Sequence, residues 1–460
     1  MKKAVLLAAI SMLAMESANI LAQTNPAITS WLINTNGQKS RRYAAGSSNF
    51  IQGTDSVNVQ RVSYSANFAY VRTKGLPAYP TGPFQDGNPS VATNQNAIFK
   101  FPLNPAPNTG TPTATTGGNI GVFINGVALF DYRDGVAWNS STNSLCGGPG
   151  NPPCPGGPMA SMAWNRDAIP AEKPGFDCAK GHPAMGNYHH HQNPSAFRFD
   201  LNVVSNVCDL YVSDGLYTLD STQHSPLLGF AYDGYPIYGG YGFRNADGSG
   251  GITRMKSAYR KRNITVRTTS PIGQSVSAGP AVNSTYPIGY FREDYEFVTG
   301  TSPDVLDLHN GRFAITPEYP NGTYAYYCTV DENWNSAYPY VVGPTFYGVY
   351  SNRKVTTITE PVTVYNPGVT ANPDLFDNST ALTVFPNPAT DFAVVQVREL
   401  NRSDLKVELL DLQGKLIREK EILQGSTFCI FDLQTLYAGY YSIRISGESG
   451  VKTLPLLIRE

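Results

Sequence analysis

The stretch GHPAMGNYHHHQNPSAF, residues 181–197, holds four of the six histidines in a chain of 460 residues: His182, His189, His190 and His191. Read as an extended strand, it alternates its side chains between two faces, and residues two apart point the same way about 6.8 Å from each other. His189 and His191 then share one face, and Tyr188 and His190 share the other. Two imidazoles so placed can lean onto one metal ion, at bond lengths of about 2.0–2.1 Å for zinc. His182 precedes Pro183-Ala184-Met185-Gly186, a loop long enough to fold back to the strand. His224 opens HSPLLGFAYDGYPIYGGYGF (224–243), where Ser225 and Pro226 suggest a fixed bend. The expected metal ligands are therefore His182, His189, His191 and His224. His190, which alternates away, is expected to be structural, and His309, beside an Asn-Gly pair in DLHNGRF, to be a turn residue.

The sequence on either side has the same extended character. VSYSANFAYVRT, AIFKFPL, GVFINGVALFDY and GTYAYYCTV are short strand-like runs divided by turn signals. Asp233-Gly234, Asn310-Gly311 and Asn321-Gly322 are hairpin dipeptides, because these residues tolerate the positive φ of a tight turn. Amphipathic helical spacing is almost absent, which makes the chain mainly β. Tyrosine (28) and phenylalanine (21) are abundant and only 15% of residues are charged, a composition suited to an extracellular β protein. The formal net charge is −1 with lysine and arginine scattered, so no basic stripe is available for a nucleic-acid backbone.

Residues 24–350 read as one large β-rich unit. From 351 to 381 the sequence turns Thr-, Pro- and Asn-rich, as in an extended linker. Residues 382–460 alternate as short strands around a Gln-Gly and an Ala-Gly turn, the pattern of a small immunoglobulin-like β-sandwich. Ahead of these, MKKAVLLAAISMLAMESANILAQ has two lysines, an apolar run too short to span a bilayer and a polar break. It is expected to be a signal peptide over residues 1–22. No other long apolar segment follows, so no transmembrane helix is expected, and the remaining cysteines should meet an oxidising compartment. Cys146 and Cys154 bracket a Gly/Pro turn and form one expected disulfide, and Cys178 with Cys208, flanking the histidines, the next. Cys328 and Cys429 are left unpaired.

Two resemblances rest on these residues. FPNPATDF, VELLDLQGK, LYAGYYSIRI and Lys452 resemble the C-terminal sorting domain of proteins exported by the type IX secretion system of Bacteroidetes. That resemblance implies contact with the type IX machinery, passage through the outer membrane, and a protein released or held at the cell surface after the tail is removed. CAKGHPAMGNYHHHQNP, HSPLLGFAYDGYPIYGGYG and NGRFAITPEYPNGTYAYYCTV resemble the YHYH domain, a secreted bacterial family, over most of residues 95–345. His190 stands where that family's second Tyr is expected, and the His-x-His face is unaffected.

Imidazole-rich sites suit zinc or copper. His-Glu-x-x-His, G-x-S-x-G, P-loop and dinucleotide fingerprints are all absent. Asp233 and Glu318 could act as acids but sit in turns, and Cys328 reads as a buried thiol. The expected function is a secreted or cell-surface protein that binds copper or zinc. Two alternatives stay open: a metalloenzyme acting on an extracellular polymer, and a metal-free adhesion or recognition module.

Overall fold

The computed structural model describes residues 25–85, 90–157, 162–202, 208, 211, 213–366, 382–397, 403–447 and 450–459. The expected signal peptide, residues 1–22, lies outside them. The chain is mainly β, with only short helical turns among the described residues. Its centre is an eight-stranded mixed sheet. The strands run, edge to edge, His182–Ala184, Asn187–His190, Ala128–Phe130, Asn119–Phe123, Leu227–Ala231, Pro236–Tyr238, Thr323–Tyr327 and Gly311–Ala314.

The middle strands are covered on both faces, which is why LLGFA and AYY carry apolar or aromatic residues at consecutive positions rather than alternating. Leu228, Phe230, Ile237 and Tyr326 are buried here. A second sheet of five strands, ordered Lys354–Val355, Ala97–Pro102, Phe68–Thr73, Val59–Tyr64 and Thr363–Tyr365, packs into the same core. Trp31 bridges the two sheets, with its ring 5.5 Å from Phe101 and 5.4 Å from Phe230.

This second sheet changes the reading of residues 351–381. Lys354–Val355 and Thr363–Tyr365 are edge strands of the body, paired antiparallel with Ala97–Pro102 and Val59–Tyr64. Thr and Val are β-branched and fit a pleated edge as readily as a solvated linker. Glu360 between them is tied down by Tyr70 and by Lys100 at 3.7 Å. Residues 367–381 of the expected linker lie outside the described residues.

The C-terminal unit is a sandwich. One sheet is Leu382–Phe385, Phe392–Val397 and Phe428–Asp432, and the other is Leu416–Ile422, Leu405–Leu410, Gly439–Gly447 and Gly450–Ile458. Inward positions such as Val395, Val407, Phe431, Ile443 and Leu456 form its own core. It also packs against the body. The Gln424 amide donates to Ile33 O at 3.0 Å and Thr35 Oγ1 at 2.7 Å, and the Phe428 ring sits 5.5 Å from Phe199.

Both expected disulfides are present, Cys146–Cys154 and Cys178–Cys208. The second closes a separation of 30 residues, which on the chain-entropy model contributes about 3–4 kcal/mol. Cys328 and Cys429 are free and buried.

Gly229 marks the tightest backbone approach in the central sheet. A Cβ there would lie 2.5 Å from Val122 O and 2.9 Å from Phe123 Cα, both backbone atoms that cannot swing aside. At Gly439 the nearest atom would be 3.9 Å away. Gly229→Ala should therefore cost about 2 kcal/mol or more in urea unfolding, while Gly439→Ala should be close to neutral. Equal midpoints for the two variants would contradict this account of the sheet.

Candidate metal centre

The centre begins with a turn. Met185 and Gly186 have φ of 47° and 84°, the pair of positive angles that a two-residue hairpin of the favoured twist requires. The loop expected after His182 is thus a tight hairpin, with register Ala184↔Asn187, Pro183↔Tyr188 and His182↔His189. Directly opposed residues have Cβ atoms about 4.5–5.5 Å apart, so the turn places His182 against His189. His191 follows two residues later on the same face.

The opposite face explains Gly181. A Cβ there would fall 2.4 Å from the Tyr188 Cζ and Oη and 3.0 Å from His190 Cε1. Tyr188 donates to both oxygens of Asp177 at 3.0 and 2.9 Å. His190 meets the Tyr79 hydroxyl at 2.8 Å and the Lys180 carbonyl at 3.1 Å, so both its nitrogens are engaged away from the centre.

Three Nε2 atoms converge. His182 and His191 are 3.4 Å apart, and His189 and His191 3.0 Å. Two nitrogens bound at about 2.0–2.1 Å to a common ion, at a tetrahedral angle, stand about 3.3 Å apart. The far side of two rings is fixed. Nδ1 of His189 bonds the Asn187 carbonyl at 2.8 Å and Nδ1 of His191 the Asp131 carbonyl at 2.7 Å. A carbonyl only accepts, so each Nδ1 carries a proton, and in the neutral ring Nε2 presents its lone pair to the centre. Phe130 stacks on His189 at 3.8 Å, and Phe176 stands edge-on to His182 at 4.9 Å. All three histidines are buried.

Sequence reasoning missed Glu172. It ends the short helix Ala168–Glu172, whose start is capped by the Asp167 carboxylate accepting from the Ile169 amide at 3.0 Å. Its Oε2 lies 3.2 Å from His182 Nε2 and 3.1 Å from His191 Nε2. No spacing rule points to it. Asp177 is nearer in sequence but is already taken by Tyr188 and by the amides of Gly82, Ala179 and Gly181.

Electrostatics follow from this packing. Burial, reinforced by the neighbouring His191 and His182, holds His189 well below the usual imidazole range. Burial also disfavours charge on His191, but the Glu172 carboxylate more than offsets it and raises His191. Burial alone would raise the Glu172 carboxyl, yet the two imidazoles together pull it down.

His224, expected as a fourth ligand, does not join this group. It packs on the Pro236–Tyr238 and Thr323–Tyr327 strands, with rings of Tyr238 and Phe243 at 5.1 and 5.0 Å. Three strands of the central sheet lie between those and the strand carrying His189. Its Nδ1 bonds the Ser225 carbonyl at 2.8 Å. His309 bonds Thr345 Oγ1 at 2.7 Å. Asp233 accepts from the Gly348 amide at 2.8 Å and from the Tyr326 hydroxyl, a structural role, and Glu318 accepts from Tyr238 at 2.8 Å. Burial pushes the Cys328 thiol far up, which keeps it protonated.

The family model described as YHYH protein matches residues 98–339, and that of the secretion system C-terminal sorting domain matches residues 383–459. No curated protein matches the chain. Among solved structures, the chain is similar to a DUF3244 family protein with an immunoglobulin-like β-sandwich fold from Bacteroides vulgatus. That pair is 22% identical, covers 18% of this chain and 88% of the other, and has a TM-score of 0.16, at which the likeness carries no argument. No helix among the described residues is long and apolar enough to cross a membrane.

Burial, with a smaller contribution from Arg312, lowers His224 to about 4, below its unfolded value of about 6.5. Between those values the unfolded chain binds the extra proton. The contribution of this group to stability is therefore present above about pH 6.5 and lost as pH falls toward 4. His224→Gln should make the fall in urea midpoint across that window shallower. An unchanged pH slope would show that His224 does not stay neutral in the fold.

Proposed function

The chain belongs to the YHYH protein family, and from that premise we propose that it is an exported protein that binds one transition metal ion, copper or zinc, through His182, His189 and His191. Its C-terminal sorting domain directs it to the type IX secretion system, and hence to the cell surface or the medium. What supports metal binding is the convergence of three Nε2 atoms with separations of 3.0 and 3.4 Å, two of them with Nδ1 bonded to a carbonyl.

Histidines kept only for structure behave as His190 does, with each nitrogen spent on a separate protein partner. The trio behaves differently. With Nδ1 of His189 and His191 committed to carbonyls, their Nε2 atoms face a common point that His182 Nε2 also approaches, and a cation there would gain three bonds. The donor set contains nitrogen and no thiolate or thioether, which suits zinc or copper. Binding requires neutral imidazoles, so loading releases any proton the trio holds.

Elemental analysis of untagged protein, produced in an oxidising compartment, should find about one zinc or copper per chain. The variant His189→Ala/His191→Ala should carry none. Equal metal content in the two proteins would end this reading. As a check that does not depend on the variant folding, added metal should raise the wild-type melting temperature; saturation at 100 times Kd stabilises by about 2.7 kcal/mol.

A further inference from the structure

We propose that the C-terminal sorting domain is held on the body by a specific contact of its own, so that cutting the connection between them leaves a two-piece assembly and not a free body. The partner of this surface is the chain itself. The outer face of the sheet Leu382–Phe385, Phe392–Val397 and Phe428–Asp432 sits on the start of the body and on the loop closed by Cys178 and Cys208.

The two sheets of the sandwich differ on their outer faces. An antiparallel sheet with one side in water alternates apolar-in with polar-out. The four-stranded sheet does so. Val407, Leu409, Ile443 and Ile445 belong to the sandwich core, and on the other side Lys406, Glu408, Glu419 and Arg444 form ion pairs at 2.7–3.0 Å. The three-stranded sheet breaks the pattern, because Phe428, Cys429, Ile430 and Phe431 are consecutive and all buried. Cys429 and Phe431, with Val395 opposite Cys429, belong to the sandwich core. Phe428 and Ile430, with Val394 opposite Ile430, belong instead to the core of the body. A sheet apolar on both sides is one that is covered on both sides.

The body supplies the cover. Phe428 meets Phe199 at 5.5 Å, and polar groups ring this apolar centre. Gln424 donates to Ile33 O and Thr35 Oγ1, Asn58 donates back to Gln424 O at 3.3 Å, and Asn36 donates to Asp404 at 3.3 Å. Gly425, with φ of 84°, has no room for a side chain: a Cβ would lie 2.9 Å from Leu32 Cδ1 and from Asn58 Nδ2. Opposite charges also match, Lys420 of the tail with Asp214 of the body, and Glu421 and Asp404 with Arg41. An apolar centre with a hydrogen-bonded margin is the anatomy of a specific interface, and between domains such a contact suppresses the relative motion otherwise expected. In the intact chain the connection adds an effective concentration on the order of millimolar. Cutting it removes that help and leaves the contact to stand alone.

A recognition sequence for a specific protease would be placed within residues 367–381 of the full-length protein and the chain cut there. At micromolar concentration the two pieces should elute together in gel filtration, in low and high salt alike. Hydrogen exchange at residues 32–35 and 424–427, a measurement that needs no variant, should be the same before and after the cut. Phe428→Glu/Ile430→Glu changes the outer face and leaves the sandwich core residues in place, so its pieces should elute apart, with the β signal in circular dichroism retained. Wild-type pieces that elute apart, or faster exchange at both segments after the cut, would show that the connection alone held the domains together and would overturn the docking. Variant pieces that still elute together would overturn the role of this face.

Discussion

One residue of register separates this centre from no centre at all. In a hairpin the side chains alternate, so a slip by one position carries an entire strand's set to the opposite face. Sliding His182–Ala184 by one against Asn187–His190 would put His182 among Tyr188, His190 and Tyr79 and leave His189 without its partner. Two features hold the register. Met185 and Gly186 both take positive φ, which admits only a two-residue turn. On the other side, the parallel pairing of His189 with Ala128 and His190 with Leu129 anchors the hairpin to the centre of the sheet. Gly181 completes the arrangement by leaving room for Tyr188 and His190 behind it.

The abundance of tyrosine finds its explanation in the same interior. Tyrosine hydroxyls repeatedly meet buried or half-buried carboxylates: Tyr188 with Asp177, Tyr326 with Asp233, Tyr340 with Asp167, Tyr324 with Asp307 and Tyr238 with Glu318. A phenol brings a large apolar body and one polar tip, so it can line a core and still satisfy an acid at its margin. Desolvation drives Asp233 and Glu318 upward, and Asp177 and Asp167 both reach about 7. These pairs tie loops to strands where an aliphatic core would leave the loops free. The chain thereby holds a large irregular β domain together with few charged residues and little helix.

How much of this was legible in the sequence depended on range. The alternation that pairs His189 with His191 is local, and so is the Gly/Pro turn between Cys146 and Cys154; both could be read directly. The small C-terminal sandwich was legible for the same reason. His224 was misread because a histidine in a well-patterned motif looks the same whether it faces the centre or the far side of the sheet. Glu172 was invisible because only the tertiary fold brings the end of a five-residue helix to the hairpin, and no periodicity connects them. The strands at 354–355 and 363–365 were hidden by composition, since Thr, Val and Pro serve an exposed edge and a solvated linker equally well.

The bond between Cys178 and Cys208 encloses all three converging histidines in a single covalent ring. Thiols of the bacterial cytoplasm are kept reduced, so this ring can close only after the chain has left it. In its nascent form the polypeptide would therefore travel with the two ends of the histidine-bearing segment untethered. The closed form of this segment, with its three histidines held together, is thus a product of the oxidising environment outside the cytoplasm.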